Sequence, residues 1–215
     1  MLDGAVPPLI VLVSGLVLFG VRGRCRRRGT WPASGDIVLS LVIVAVAVRL
    51  ELQMGRPPTY KQGPVRLWSG DINSDQNSQQ ILDPYSLTHV IHGAALYGVT
   101  RLIPGMAAFG PTVAAVVTLE AAWEVYENTD QVINRYRAET VSLGYYGDSV
   151  VNSLSDIVAC VVGLLISWRR RWWVTVTWVL AAELVLLVTI RDSLALNIIM
   201  LIAPVEAIKR WQMGM

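Results

Sequence analysis

Apolar residues in this chain run in long blocks, with neither the alternation of a half-buried strand nor the single stripe of a surface helix. The blocks fall at 5–21, 37–54, 86–103, 107–126, 149–168, 172–190 and 194–208. Most approach the roughly 20 residues a helix needs to cross a bilayer. The pattern predicts an all-α polytopic membrane protein: one integral membrane domain over residues 1–215, built as a bundle of about seven transmembrane helices, or six if the last is interfacial. The third block is broken by His89 and His92, and the seventh is short and carries Pro204. No repeat or linker divides the chain.

Basic residues then orient the bundle, because Arg and Lys in short flanking loops stay on the cytoplasmic side. Arg22, Arg24, Arg26, Arg27 and Arg28 follow the first block, Arg101 the third, Arg169, Arg170 and Arg171 the fifth, and Lys209 with Arg210 the seventh. All four groups follow odd-numbered spans, which predicts an outer N-terminus and a cytoplasmic C-terminus. The first block is preceded by an acidic leader and followed by its positive charge, the reverse of a cleavable signal, so it is expected to be a retained anchor. Orientation accounts for the basic residues, and the net charge of +2 leaves no patch for nucleic acid. Cys25 lies in a basic loop and Cys160 within a span, so no disulfide is expected.

Two long connections, 55–85 and 127–147, are then external. Both are rich in turn residues, and Trp68, Tyr85, Tyr126, Tyr136, Tyr145 and Tyr146 predict ordered loops lying at the headgroup level. The acidic and imidazole side chains inside or beside apolar blocks gather at this same end. His89 and His92 are spaced i, i+3 and share a helix face with Ser86. Glu120, Glu124 and Glu127 form one acidic stripe, and Asp148, Asn152 and Asp156 step by four, with Asp148 and Ser149 at a helix start. An Asp at a helix centre costs roughly 2.5–3.5 kcal/mol on insertion scales, so such groups are expected to face one another or a wet cavity. Elsewhere, Arg49 and Glu51 are expected to snorkel or pair, and Glu183 to bond a neighbouring helix.

Two imidazoles with carboxylates suit a divalent cation, zinc first, or iron or manganese if more carboxylates join. The candidate ligands are His89, His92, Glu124 and Asp156. Neither a His-Glu-x-x-His motif nor the Glu-x-x-His pairs of di-iron bundles is present. A purely structural network, neutralised by Arg135 and Arg137, would use the same residues. A Ser-His-Asp hydrolase would draw on Ser86 or Ser153, yet neither serine sits in a strand-to-helix nucleophile elbow. Phosphate-cradling loops and dinucleotide fingerprints are absent from the sequence.

A resemblance runs through Leu67-Trp68-Ser69-Gly70, Asp83-Pro84-Tyr85-Ser86, His89-Val90-Ile91-His92-Gly93, Trp123-Glu124-Val125-Tyr126-Glu127-Asn128, Arg135-Tyr136-Arg137 and Asn152-Ser153-Leu154-Ser155-Asp156. These stretches resemble the bacterial inner-membrane family known as domain of unknown function two-five-eight-five, over most of the chain after the first span. The chain departs from that pattern at Asn134, where Asp is usual, and at 59–63, where a Cys-bearing stretch is usual. The loop after Arg56 is therefore not expected to bind metal. A looser similarity to VanZ-like membrane proteins rests on His92 with Tyr97, Glu124 with Asn128, Arg137, Asp148 and Asn152. It implies a shared helical core and a tie to the cell envelope.

Three function classes follow. The first is an enzyme acting on a lipid or lipid-linked envelope substrate, with the cation held by the four ligands named above, Glu124, Glu127 and Asp148 as catalytic carboxylates, and Arg135, Arg137, Asn152 and Ser86 contacting substrate. The second is an accessory subunit whose polar core is structural and whose outer loops dock a partner membrane protein. The third is a proton-coupled transporter, against which stand the position of the polar set at one surface and the lack of an inverted repeat.

Overall fold

The computed structural model describes residues 4–29, 34–103, 106, 108–140 and 144–215. Nine helices form among the described residues: α1 (Val6–Arg27), α2 (Gly35–Gln53), α3 (Ser86–Thr100), α4 (Phe109–Glu127), α5 (Asp130–Glu139), α6 (Val150–Ser167), α7 (Trp172–Ile190), α8 (Leu194–Ile202) and α9 (Glu206–Gln212). They contain no strand, only an isolated bridge between Trp68 and Leu82. The expected start of the fourth span, at 107, lies outside the described residues.

Helix α4 is the hub, packed against α1, α2, α3, α5 and α6. Its buried small residues Ala114, Ala115, Ala121 and Ala122 let neighbours approach closely. The most extensive contact joins α3 to α6, where two glycines face backbone directly. A Cβ on Gly93 would lie 1.8 Å from the carbonyl oxygen of Cys160, and one on Gly163 would lie 1.8 Å from that of Val90. Each glycine is thus a socket for the opposite helix.

Among the described residues, three helices are long and apolar enough to cross a membrane: α1, α6 and α7. That is fewer than the seven expected from the blocks, and the reason is visible in the other four. Helix α3 has only 15 residues. Helices α2 and α4 carry Asp36, Arg49 and Glu51, and Glu120, Glu124 and Glu127. Most of these face protein: Glu51, Glu120 and Glu124 are each at most 1% exposed. Glu51 therefore does not snorkel but is buried beside Ser153 of α6.

The seventh block is not one helix. It breaks at residues 203–205 into α8 and α9, and nine-residue α8 spans roughly 14 Å, half of a ~30 Å hydrocarbon core. Arg191, with φ +53°, ends α7 in the left-handed region, and the chain turns back. Gln212 Nε2 then donates to Asp192 Oδ1 at 2.8 Å, and the Lys209 ammonium donates to the carbonyl of Ala138 in α5. The C-terminal helices thus return to the end of the bundle where Gly4 meets Gln131, so both termini lie at one end. Lys209 and Arg210 therefore lie at the end of the bundle opposite the other basic groups, whereas the charge pattern places all four groups together. The other basic groups do share the opposite end, where Arg22 pairs with Asp36 at 2.5 Å and Arg169 N donates to the Tyr97 hydroxyl.

The two long connections are built structures. Residues 130–139 of the second form amphipathic α5, capped by Thr129 and seated through Val132, Ile133 and Tyr136. The first folds over the start of α6 and satisfies its otherwise unpaired N–H groups. Ser149, Val150 and Val151 donate to the carbonyls of Ser78, Pro57 and Pro58 at 2.9, 2.9 and 3.1 Å. Glu183 accepts from Leu194 N and Ala195 N, tying α7 to the start of α8 as expected of a helix-bonding carboxylate.

Gly163→Ala is expected to disrupt the α3–α6 seam, because its methyl would meet backbone that cannot rotate away. A loss of about 2 kcal/mol or more, read as a lower unfolding temperature in detergent, checks this. Gly98→Ala, which meets nothing within 4 Å, is the matched control and should leave that temperature unchanged.

Candidate functional site

The α3–α6 seam and the hub helix bring one imidazole–carboxylate cluster together. His89 and His92 occupy the first two turns of α3, Glu120 and Glu124 face them from α4, and Asp156 approaches from α6. His89 Nδ1 lies 2.7 Å from Glu120 Oε1 and 3.1 Å from Glu124 Oε1, and its Nε2 lies 4.0 Å from Asp156 Oδ2. His92 Nδ1 lies 3.1 Å from the same Glu120 oxygen. Two overlapping groups result, His89–His92–Glu120 and His89–Glu124–Asp156, each with potential ligand atoms within 4.8 Å of one another.

Glu120 organises both rings. When one carboxylate oxygen accepts from both Nδ1–H groups, each Nε2 keeps its lone pair, the arrangement that orients metal-binding histidines. The two imidazoles meet edge to face at 5.0 Å, and His92 packs edge-on against Trp123. Among the described residues, neither oxygen of Glu124 nor Asp156 Oδ1 has a hydrogen-bond partner, although both side chains are buried. The 3.1 Å approach of Glu124 to His89 does not supply one, because the Nδ1 proton is directed at the nearer Glu120. Unsatisfied carboxylate oxygens in an interior are costly, and these converge beside two ring nitrogens.

Above the cluster lies a cavity of about 40 Å3, lined among others by His89, His92, Trp123, Glu127, Asp148 and Asp156. On that measure a single water needs about 10–15 Å3, so the space takes an ion with a few waters. Tyr136 and Tyr145 of the α5 region and Leu194 and Asn197 of α8 close it. Asp148 is held on three sides: its N–H donates to Asn128 Oδ1 at 2.7 Å, and its carboxylate accepts from Asn128 Nδ2 at 2.7 Å and from the Tyr145 hydroxyl at 2.9 Å. Burial pushes its carboxyl up to about 6, against the pull of those bonds. Asp192, which accepts from Ser193 N, Gln212 and the Tyr85 hydroxyl, is likewise raised by burial to about 6.

The expected site residues fall in different places. His89 meets Glu124 and Asp156, His92 joins them through Glu120 and His89, and Glu127 and Asp148 line the cavity beside both imidazoles and Asp156. Arg135 instead donates to the carbonyls of Leu201 and Ile202, capping α8, and Arg137 is exposed on α5; neither lines the cavity or reaches its carboxylates. Asn152 Nδ2 is taken by the Gln80 carbonyl at 3.0 Å, fastening the outer segment to α6. Ser86 Oγ accepts from Asp83 N and lies beside Asp156, so it braces the site from behind. Among the described residues no hydrogen bond links Ser86 or Ser153 to an imidazole, and a serine triad is not assembled. Tyr85, Tyr136 and Tyr145 line the cavity.

The part played by Glu120 was legible only as the first step of an acidic stripe. Trp123, Tyr136 and Tyr145 carried no signal placing them here.

Fold and site together define a helical protein, with helices apolar enough to span a membrane, built around a buried imidazole–carboxylate cluster. Over residues 51–214 the chain matches the family described as "Protein of unknown function (DUF2585)", and it belongs to that family. A UPF0314 protein of Sphingopyxis alaskensis is 49% identical over 178 residues, covering 82% of this chain and 94% of that protein. Those of Paracoccus denitrificans and Novosphingobium aromaticivorans are 46% and 44% identical, covering 80% and 91% of this chain and 89% and 98% of their own lengths. No solved structure matches. The VanZ-like similarity is not carried further by these matches.

A carboxyl whose folded value exceeds its unfolded one binds its proton more tightly in the native state, so stability falls as pH rises through that window. For Asp192 the window runs from 3.8 to about 6. Asp192→Asn can keep all three bonds, with the Tyr85 oxygen accepting, and cannot ionise. The variant should gain on wild type by up to ~3 kcal/mol between pH 4 and pH 7. Unfolding curves at both pH values check this, and a constant difference between the two proteins would contradict it.

Proposed function

We propose that this protein is a multi-pass metalloprotein of the bacterial inner membrane. In this reading a divalent cation, zinc first, lies between His89, His92, Glu124 and Asp156, and the protein acts on the head group of a lipid or lipid-linked envelope substrate. The observation that carries the reading is the set of unpartnered oxygens of Glu124 and Asp156 beside His89. Glu120, Glu124 and Asp156 bring three carboxylates against two imidazoles, and a divalent ion balances them without requiring each acid to be protonated. Two nitrogens and two oxygens suit zinc, with room left for water.

Such an ion would polarise a substrate oxygen or lower the pKa of bound water. The chain's own residues supply the rest. Glu120 holds both rings in one tautomer, and Glu127 and Asp148 line the cavity as the acid–base pair. Glu127 lies beside the Tyr136 hydroxyl and Asp148 accepts from that of Tyr145, so α5 and the segment after it set their surroundings. At about 40 Å3 the cavity is smaller than a head group, so substrate entry requires α8 to move aside. The accessory-subunit reading draws less support, because both outer segments spend their polar groups on this chain's own helices.

Metal analysis of gently purified protein should find about one divalent ion per chain. His89→Ala and Asp156→Asn should each abolish retention, and Glu120→Gln should weaken affinity about 10–100-fold, as loss of an orienting carboxylate does. Protein that stays metal-free after zinc reconstitution, or variants that bind as wild type does, would sink the reading.

A further inference from the structure

A groove of about 780 Å3 runs between α3, α6 and α7, on the other side of Ser86 from the cation cluster. Helices α3 and α6 begin, and α7 ends, at the level of the outer segment, so depth along the groove can be read from residue position. Its polar side chains, led by Asp83 and Ser86, sit at that outer end. Val90, Val162 and Val185 line the deeper part, and Leu186, 2% exposed, forms the floor. Val162 and Val185 are 42% and 51% exposed, which leaves the groove open sideways between two helices capable of crossing a membrane.

We propose that this groove holds one acyl chain of a bilayer lipid, tail inward, with the lipid's polar end at the Asp83–Ser86 rim. Three features point to that occupant. The mouth opens between α6 and α7, where hydrocarbon is the surrounding medium. The run from polar rim to aliphatic depth follows the polarity of a lipid from head to tail. The volume falls within the roughly 300–1,000 Å3 of sites that enclose small amphiphilic ligands. Because Ser86 lines the groove and lies beside Asp156, the polar end of the lipid abuts the wall of the cation cluster. That contact names a glycerolipid-like amphiphile as the substrate class, a step that rests on the function proposed above; occupancy of the groove does not.

The test uses the whole protein in nanodiscs of phosphatidylethanolamine and phosphatidylglycerol, with a tracer phosphatidylglycerol carrying a photoreactive group in its acyl chain. Adducts should concentrate on Val162 and Val185, several-fold over the comparably exposed Val13 and the more exposed Leu16 of α1. Even labelling of the two faces would overturn the groove and leave only annular lipid. The double variant V162W/V185W should lose the lipid that survives detergent exchange, read by native mass spectrometry, while keeping its zinc. Lipid retained as in wild type would also overturn the groove. Zinc absent from wild-type protein while lipid is retained would sink the metal reading and leave the groove standing.

Discussion

The backbone-to-backbone contact of α3 and α6 at Gly93 and Gly163 is the constraint on which the rest of the molecule depends. A side chain at either position would hold the two helices apart. His89 stands one turn from Gly93, and Asp156 two turns from Gly163, so the separation of imidazole and carboxylate is set by glycine packing. The 4.0 Å between His89 Nε2 and Asp156 is therefore a product of how closely two rods can lie. Interhelical packing of this kind replaces the hydrophobic driving force that a lipid environment does not supply between helices.

Helix α4 completes the arrangement at an energetic cost that the surrounding helices offset. Its acidic stripe could not face lipid, and enclosure by α1, α2, α3 and α6 turns Glu120 and Glu124 inward. There Glu120 is satisfied by two imidazoles, while Glu124 and one oxygen of Asp156 are left without donors. The scaffold satisfies the start of α6 with three loop carbonyls and the start of α8 with one glutamate. The unpaired carboxylate oxygens lie beside His89, where two candidate ligand groups overlap.

The roof of the site is assembled from α5, which has no apolar block of its own, and from the C-terminal helices α8 and α9. Helix α5 is held by its Thr129 cap and by the cluster of Val132, Ile133, Tyr136 and Tyr145. Arg135 joins it to α8, and Asp192 gathers Tyr85, Ser193 and Gln212 beneath the C-terminal hairpin. Few apolar contacts and several surface hydrogen bonds hold this layer, which makes it the part of the molecule best suited to open.

From the sequence alone came the all-helical class, the gathering of His, Glu and Asp at one end, and the shared faces of His89 with His92 and of Glu120 with Glu124, because residue spacing on a helix settles which side chains share a face. Run length gave seven blocks where three of the described helices are long and apolar enough to cross a membrane, since a block such as 107–126 reads the same whether lipid or other helices surround it; Pro204 marks the break in 194–208 but not that the chain folds back. Partner choice was equally hidden: Arg135 and Asn152 have the chemistry to bind an anion or a substrate, yet carbonyls brought from distant segments claim them. Spacing is a property of neighbouring residues. Which helix faces which, and what is left unpaired when they meet, depends on contacts between residues far apart in the chain, and only the tertiary structure decided that.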